Sequence, residues 1–162
     1  MLMAASQGRL CAKEWKGMSK YANFELQEFL RSDTAKAKGI DNTPSFEVVA
    51  HLEELISTIL QPLRTAWGKP LIISSGYRCE ALNKAVGGVK NSAHLYGYAA
   101  DVQTPRSKDF KPFMEFAEKW LKDNGIAFDQ SIKETSKTAY WWHIGLYNSK
   151  GEQRRQFKAL QV

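Results

Sequence analysis

Cysteine is almost missing from this chain: Cys11 and Cys79 are the only two among 162 residues. They lie far apart and in no Cys-x-x-Cys pair, which excludes a cysteine-held structural metal and leaves both as expected free thiols. Histidine is nearly as scarce, with His51, His94 and His143. No apolar run approaches the ~18 residues of a membrane-crossing helix, so no membrane insertion is expected. The stretch Met1 to Leu10 is interrupted by Ser6, Gln7, Gly8 and Arg9 before a secretory apolar segment can form, and no export signal is read there. Blocks of like charge are absent too. The 23 Lys and Arg outnumber 17 Asp and Glu for a net charge of +6, with a pI near 9.3, but they are spread along the chain. The balance favours an anionic partner without naming one. No helix-turn-helix, zinc-finger or aromatic platform motif supports nucleic acid as that partner. Internal repeats and low-complexity segments are also lacking.

What is present suffices for one globular domain. At 43% hydrophobic, a chain of this length buries roughly two-thirds of its unfolded surface. Residues 1–20 read as a poorly ordered leader, with Met18 opening a second possible start, and the domain is expected over 21–162. Asn23 to Leu30 predicts a short helix capped by Asn23. Gly39 to Asn42 is a turn. A long helix follows, with Thr43 as cap, Pro44 in the first position and apolar residues from Val48 to Leu63 at three- and four-residue steps. Pro62 is expected to kink its last turn, and Gly68 to end it. Leu71 to Ser74 reads as a strand, Cys79 to Val86 as a short helix and Ala99 to Gln103 as the next strand. Phe110 to Lys122 is an amphipathic helix, with Phe113, Phe116, Ala117, Trp120 and Leu121 inward. Phe128 to Glu134 and Tyr140 to Leu146 form a hairpin. Helices followed by strands with a helix between them make the class α+β: a small antiparallel β-sheet flanked by helices.

The scarce histidines locate the chemistry. His51 falls within the long helix, where a surface or boundary position is expected. His94 lies in a Gly-rich loop seven residues before Asp101, and His143 lies on a strand in Trp141-Trp142-His143-Ile144-Gly145. Two imidazoles and one carboxylate would leave a tetrahedral zinc ion one open position, the pattern of a catalytic site. From spacing alone, a histidine in a loop and another among tryptophans are more often structural than metal-bound.

Four segments together resemble a known family. They are Ser74-Ser75-Gly76-Tyr77-Arg78, Leu82 to Gly88, Ser92-Ala93-His94-Leu95-Tyr96-Gly97-Tyr98-Ala99-Ala100-Asp101, and Trp142-His143-Ile144. The pattern is similar to the D-alanyl-D-alanine carboxypeptidase family of zinc peptidases, whose fold is shared with the hedgehog signalling domain. Phe24 to Leu30, Gly39 to Pro44, Leu60 to Arg64 and Phe128-Asp129-Gln130 resemble a bacterial and phage branch of it. The similarity covers residues 23 to about 146. It implies one Zn2+ per chain on His94, Asp101 and His143, with Arg78 facing the substrate. A planar guanidinium suits a substrate carboxylate, and an ion pair is its structural alternative. Ser92 would donate to substrate or cap its loop, and Tyr140 or Trp141 would line the cleft or join the core. Gly87, Gly88 and Gly97 read as backbone devices.

One departure from the family pattern matters. Many relatives carry a carboxylate, acting as general base, three residues before the last histidine; here that place is Tyr140. Aligning the apolar faces of the hairpin pairs Ile132 with Trp142, Gln130 with Ile144 and Phe128 with Leu146, which sets Glu134 opposite Tyr140. Glu134 is then the first candidate for the base and Asp129 the second. The resemblance implies a peptidase acting on peptidoglycan peptides, as D-alanyl carboxypeptidase or as endopeptidase of stems or cross-links. It would act as a monomer that stays soluble and cytoplasmic until release, or is phage-associated. The alternative is an inactive zinc-containing wall-binding or structural domain.

Overall fold

The computed structural model describes residues 20–162; Cys11, Met18 and nearly all of the leader expected over 1–20 lie outside them. Helices form first along the chain. The helix expected from Asn23 to Leu30 shrinks to one 3-10 turn, Leu26–Phe29, capped by Glu25 and Glu28. Asn23 is engaged elsewhere, exchanging hydrogen bonds with the Gln61 side chain at 3.0 and 2.8 Å. An unforeseen helix, α1 (Asp33–Lys38), follows, capped by Ser32 and ended by Gly39; it buries only Ala35, so it left no apolar period in the sequence.

The long helix is present in three parts. Helix α2 (Phe46–Leu55) starts at Ser45, whose Oγ accepts from Val48 N, and not at Thr43. The Thr43 N–H is taken by Asp41 Oδ1 at 2.9 Å, an Asx-type turn that delays the helix until after Pro44. A π-type turn, Ile56–Leu60, separates α2 from α3 (Gln61–Trp67). The disturbance expected from Pro62 therefore lies upstream of the proline. Lacking an N–H, Pro62 cannot bond the carbonyl four residues earlier, and the wider turn there absorbs the gap. Gly68 ends α3 with φ 73°.

The sheet holds five strands, β1 (Ile72–Ser75), β2 (Ala99–Gln103), β3 (Gln130–Thr135), β4 (Tyr140–Gly145) and β5 (Gln156–Gln161), in the order β1-β2-β4-β3-β5. All pairs are antiparallel except β3 with β5. Helix α4 (Glu80–Ala85) follows β1 and helix α5 (Phe110–Asp123) follows β2. Ile73, Ala100, Val102, Trp142 and Ile144 join the α2–α3 and α5 apolar residues in one core. Phe116 and Trp120 are only partly buried, while Phe110 and Met114 take the inward places beside Phe113. Strand β5 escaped sequence reading because its three apolar residues, Phe157, Ala159 and Leu160, do not alternate on one face and most of the strand is exposed, as an edge strand permits.

The hairpin register differs by one residue from the expected one: Ile132 faces His143 and Glu134 faces Trp141, while Tyr140 faces Thr135. Apolar alignment misjudged Ile132 and Ser131. A buried indole N–H needs an acceptor. Ser131, fully buried, supplies it through Trp142 Nε1 to Ser131 Oγ at 2.8 Å. In the expected register that donor would have met Ile132. Ser131→Ala should therefore destabilise the protein by about 1–3 kcal/mol, the cost of a buried unpaired donor. Denaturant unfolding would show it as a lowered midpoint; an unchanged midpoint would mean the indole has another acceptor.

Candidate active site

Strand pairing assembles the site. Asp101 and His143 are directly opposed across β2 and β4, on the face turned away from the core. Their neighbours Ala100, Val102, Trp142 and Ile144 are apolar and point the other way. His143 Nδ1 lies 3.0 Å from Asp101 Oδ1. His94 arrives from the loop before β2, in the 3-10 turn Ala93–Tyr96, where Ser92 Oγ accepts from the His94 N–H. Gly97 closes that turn with φ 72°, and a Cβ there would stand 2.7 Å from the Val48 carbonyl, so the close approach to α2 requires glycine.

The His94 ring has a defined tautomer. Its Nδ1 is 2.7 Å from the Gly76 carbonyl, an acceptor only, so Nδ1 carries the proton and Nε2 keeps its lone pair. That Nε2 is buried with no hydrogen-bond partner and lies 3.3 Å from Asp101 Oδ1. A buried polar atom left unpaired is costly, and a cation would satisfy it. Ligand atoms of His94, Asp101 and His143 lie within 4.8 Å of one another. Burial lowers the His94 pKa and holds its ring neutral. For Asp101 burial acts against the charge, but the His94 and His143 interactions outweigh it and keep the carboxyl well below the usual range. Neutral imidazole and ionised carboxylate are the ligating forms. Two nitrogens and one oxygen, with a carbonyl orienting one imidazole from behind, fit zinc with an open fourth position.

Around the triad lies a cleft of about 620 Å³ whose lining includes Arg78, Ser92, Asp129, Glu134, Trp141 and Arg154. Glu134 reaches it because the true register puts its side chain on the His143 face. Burial pushes the Glu134 pKa up and Asp101 pushes it further, partly offset by His143, Trp141 and Arg78. Arg78 is partly buried, and its Nε has no partner. Asn42, which sequence reading passed over, fixes that segment. Its Nδ2 donates to Leu30 O and Tyr77 O at 3.1 and 3.0 Å, and its Oδ1 accepts from Cys79 N at 2.7 Å. The Asp-Asn-Thr-Pro turn chemistry was the available signal.

Two expected site residues are placed otherwise. Tyr140 lies away from this cleft: its ring packs on Phe110 and its hydroxyl donates to Thr104 O at 2.8 Å. Asp129 borders the cleft, but both its oxygens are taken by Arg154, whose Nε and Nη2 donate at 2.7 and 2.9 Å. His51 stands outside the triad, stacked on Tyr98 at 4.3 Å, and Cys79 is a free thiol.

The peptidase M15 family model matches residues 22–139. The chain belongs to the peptidase M15 family. A relative from Streptomyces albus G, a zinc D-Ala-D-Ala carboxypeptidase, is 48% identical over 44 residues, 26% of this chain. The chain covers only 17% of that relative's length. No helix among the described residues is long and apolar enough to cross a membrane. Metal binding to the folded state alone should raise its melting temperature in proportion to the logarithm of metal concentration. Zinc titration of the M15 chain should show this rise, and His94→Ala or His143→Ala should abolish it; a rise retained in both variants would place the metal elsewhere.

Proposed function

We propose that this chain is a zinc-dependent peptidase of peptidoglycan peptides, acting as a D-alanyl carboxypeptidase or as an endopeptidase of stems or cross-links. The carrying observation is the convergence of His94, Asp101 and His143 at a cleft that also holds Glu134 and Arg78. Family membership and the activity in the relative's name support it. His94, Asp101 and His143 would hold one zinc ion, which when bound supplies a Lewis acid for the scissile carbonyl and lowers the pKa of water toward about 7.

Residues of the chain do the rest. Glu134 accepts the proton of the attacking water at a carboxylate oxygen and returns it to the leaving amine; a raised carboxylate pKa suits both transfers. Asp129 is unsuited to that role, since Arg154 occupies its carboxylate. The Arg78 guanidinium binds a substrate carboxylate and orients the peptide across the triad. Ser92 acts through the His94 turn that it caps. Trp141, opposite Glu134, forms part of the cleft wall.

Mass spectrometry of purified peptidoglycan should show shortened or uncrosslinked muropeptides after incubation with the zinc-loaded protein. Glu134→Gln should lower turnover by roughly 10² to 10⁴ while zinc content stays. An unaltered muropeptide profile with full zinc would instead favour the inactive wall-binding domain. Arg78→Lys keeps the charge but loses the two-pronged geometry, so it should impair turnover more than thermal stability. Equal turnover by the Lys variant on a carboxylate-bearing peptide would remove Arg78 from recognition.

A further inference from the structure

A second guanidinium borders the cleft, and the reading above gives it no task. Arg154 lines the same cleft as Arg78, but it leads into β5 at one edge of the sheet, whereas Arg78 follows β1 at the other, with the triad strands β2 and β4 between. Arg78 is tied to the His94 side by its backbone N–H on the His94 carbonyl at 3.1 Å. Arg154 is tied to the His143 side through Asp129. The Asp129 N–H bonds the Gly145 carbonyl at 2.7 Å. Its Cβ and His143 Nε2 border the same point above Gly145.

Arg154, with a side chain 40% exposed, is held there by Asp129. Asp129 is 2% exposed and accepts from Arg154 Nε, Nη2 and backbone N. The next residue, Arg155, is the one non-glycine with positive φ among the described residues, at 55°. Strain of this kind persists only where the surroundings dictate it. Here Arg155 N bonds Phe128 O at 2.9 Å and Gln156 N bonds Asp129 O at 2.8 Å. Of the five guanidinium N–H groups, Asp129 takes two; the others have no side-chain or backbone acceptor among the described residues. A clamp of β5 against β3 would need only the pair. A buried acid and a strained turn that together present a half-used fork to the cleft have the form of a preorganised anion reader.

We propose that Arg154, positioned by Asp129, reads a second substrate carboxylate on the side of the scissile bond opposite Arg78, so that the favoured substrates are peptides anionic on both sides of that bond. The inference rests on the peptidase reading for the location of the scissile bond, and on the cleft geometry for the rest.

The test uses two stem-type pentapeptides ending in D-alanyl-D-alanine. They differ only in a free carboxylate or a carboxamide on the N-terminal side of the last peptide bond. Calorimetry on zinc-loaded Glu134→Gln protein should show the carboxylate peptide binding on the order of tenfold to a hundredfold tighter, as a charge-assisted hydrogen bond provides. Arg154→Gln alone would strand a buried carboxylate and endanger the fold, so the pair Asp129→Asn with Arg154→Gln is introduced together. In that protein the preference should collapse to near one, with folding checked by thermal unfolding. The paired variant leaves the net charge unchanged, and Lys111→Gln, which removes one positive charge outside the cleft, should leave the preference intact. A preference that survives in the paired variant, falls equally in Lys111→Gln, or is absent from the start overturns the role of Arg154. Wild-type protein that binds with the expected preference but cleaves neither peptide would count against the carboxypeptidase reading and leave Arg154 standing.

Discussion

Everything around the cleft is organised by one carboxylate, that of Asp101. It sits near the middle of the sheet, with a side chain only 15% exposed and an imidazole on either side at 3.0 and 3.3 Å. An ionised group so placed is expensive unless its neighbours compensate it. One neighbour, His143, is fixed by the β2–β4 register. The other must be brought by a loop, and that need explains much of the surrounding chain. Gly76 offers its carbonyl to His94, Gly97 lets the turn approach α2, and Asn42 ties the segment carrying Arg78 to the helical layer. Displacing the loop would leave a buried acid half compensated and a buried imidazole unpaired, so the helical layer and the sheet are coupled through this point.

Two further carboxylates border the cleft, and their surroundings divide their roles. Asp129 is sealed from solvent and fully engaged by one guanidinium. Glu134 has no such clamp, is partly exposed and feels the charge of Asp101. A carboxylate tied into a fork cannot exchange a proton without losing its partner, whereas a partly buried one beside another negative charge is disposed to do so. Residue type alone does not separate them. The partner does, and the partner of Asp129 lies 25 positions along the chain.

The triad was legible through the family resemblance: scarcity drew attention to His94 and His143, but their spacing alone left structural roles open, and the motif pattern is what joined them to Asp101. The α+β class, β2 and the end of α3 were legible from period and glycine. The hairpin register was not. Apolar alignment treats serine as a surface residue, and it cannot weigh the demand of the Trp142 indole for an acceptor in the core. Glu134 was reached through that wrong register, and the single-residue slip is what turns it to the His143 face. Strand β5 and α1 bury too little apolar surface to leave a pattern, and Arg154 stands between them in kind: its importance lies in a long-range pair that no local window contains.

The family match ends at residue 139, before His143. The first two members of the triad therefore lie in the matched part of the chain, and the third depends on the hairpin that follows. This division has a structural counterpart. His94 and Asp101 lie seven residues apart on a turn and the strand after it, so local chain geometry brings them together. His143 is 42 residues from Asp101 and meets it only if β4 pairs with β2 in one register. A slip by one would turn the imidazole to the core face and Trp142 into the cleft. Ser131 under Trp142 opposes the corresponding slip of β4 against β3 from the buried side, since the indole keeps its acceptor in one register alone. A hydrogen bond within the core thus holds the β3–β4 alignment that sets Glu134 opposite Trp141, on the face of the sheet away from that bond.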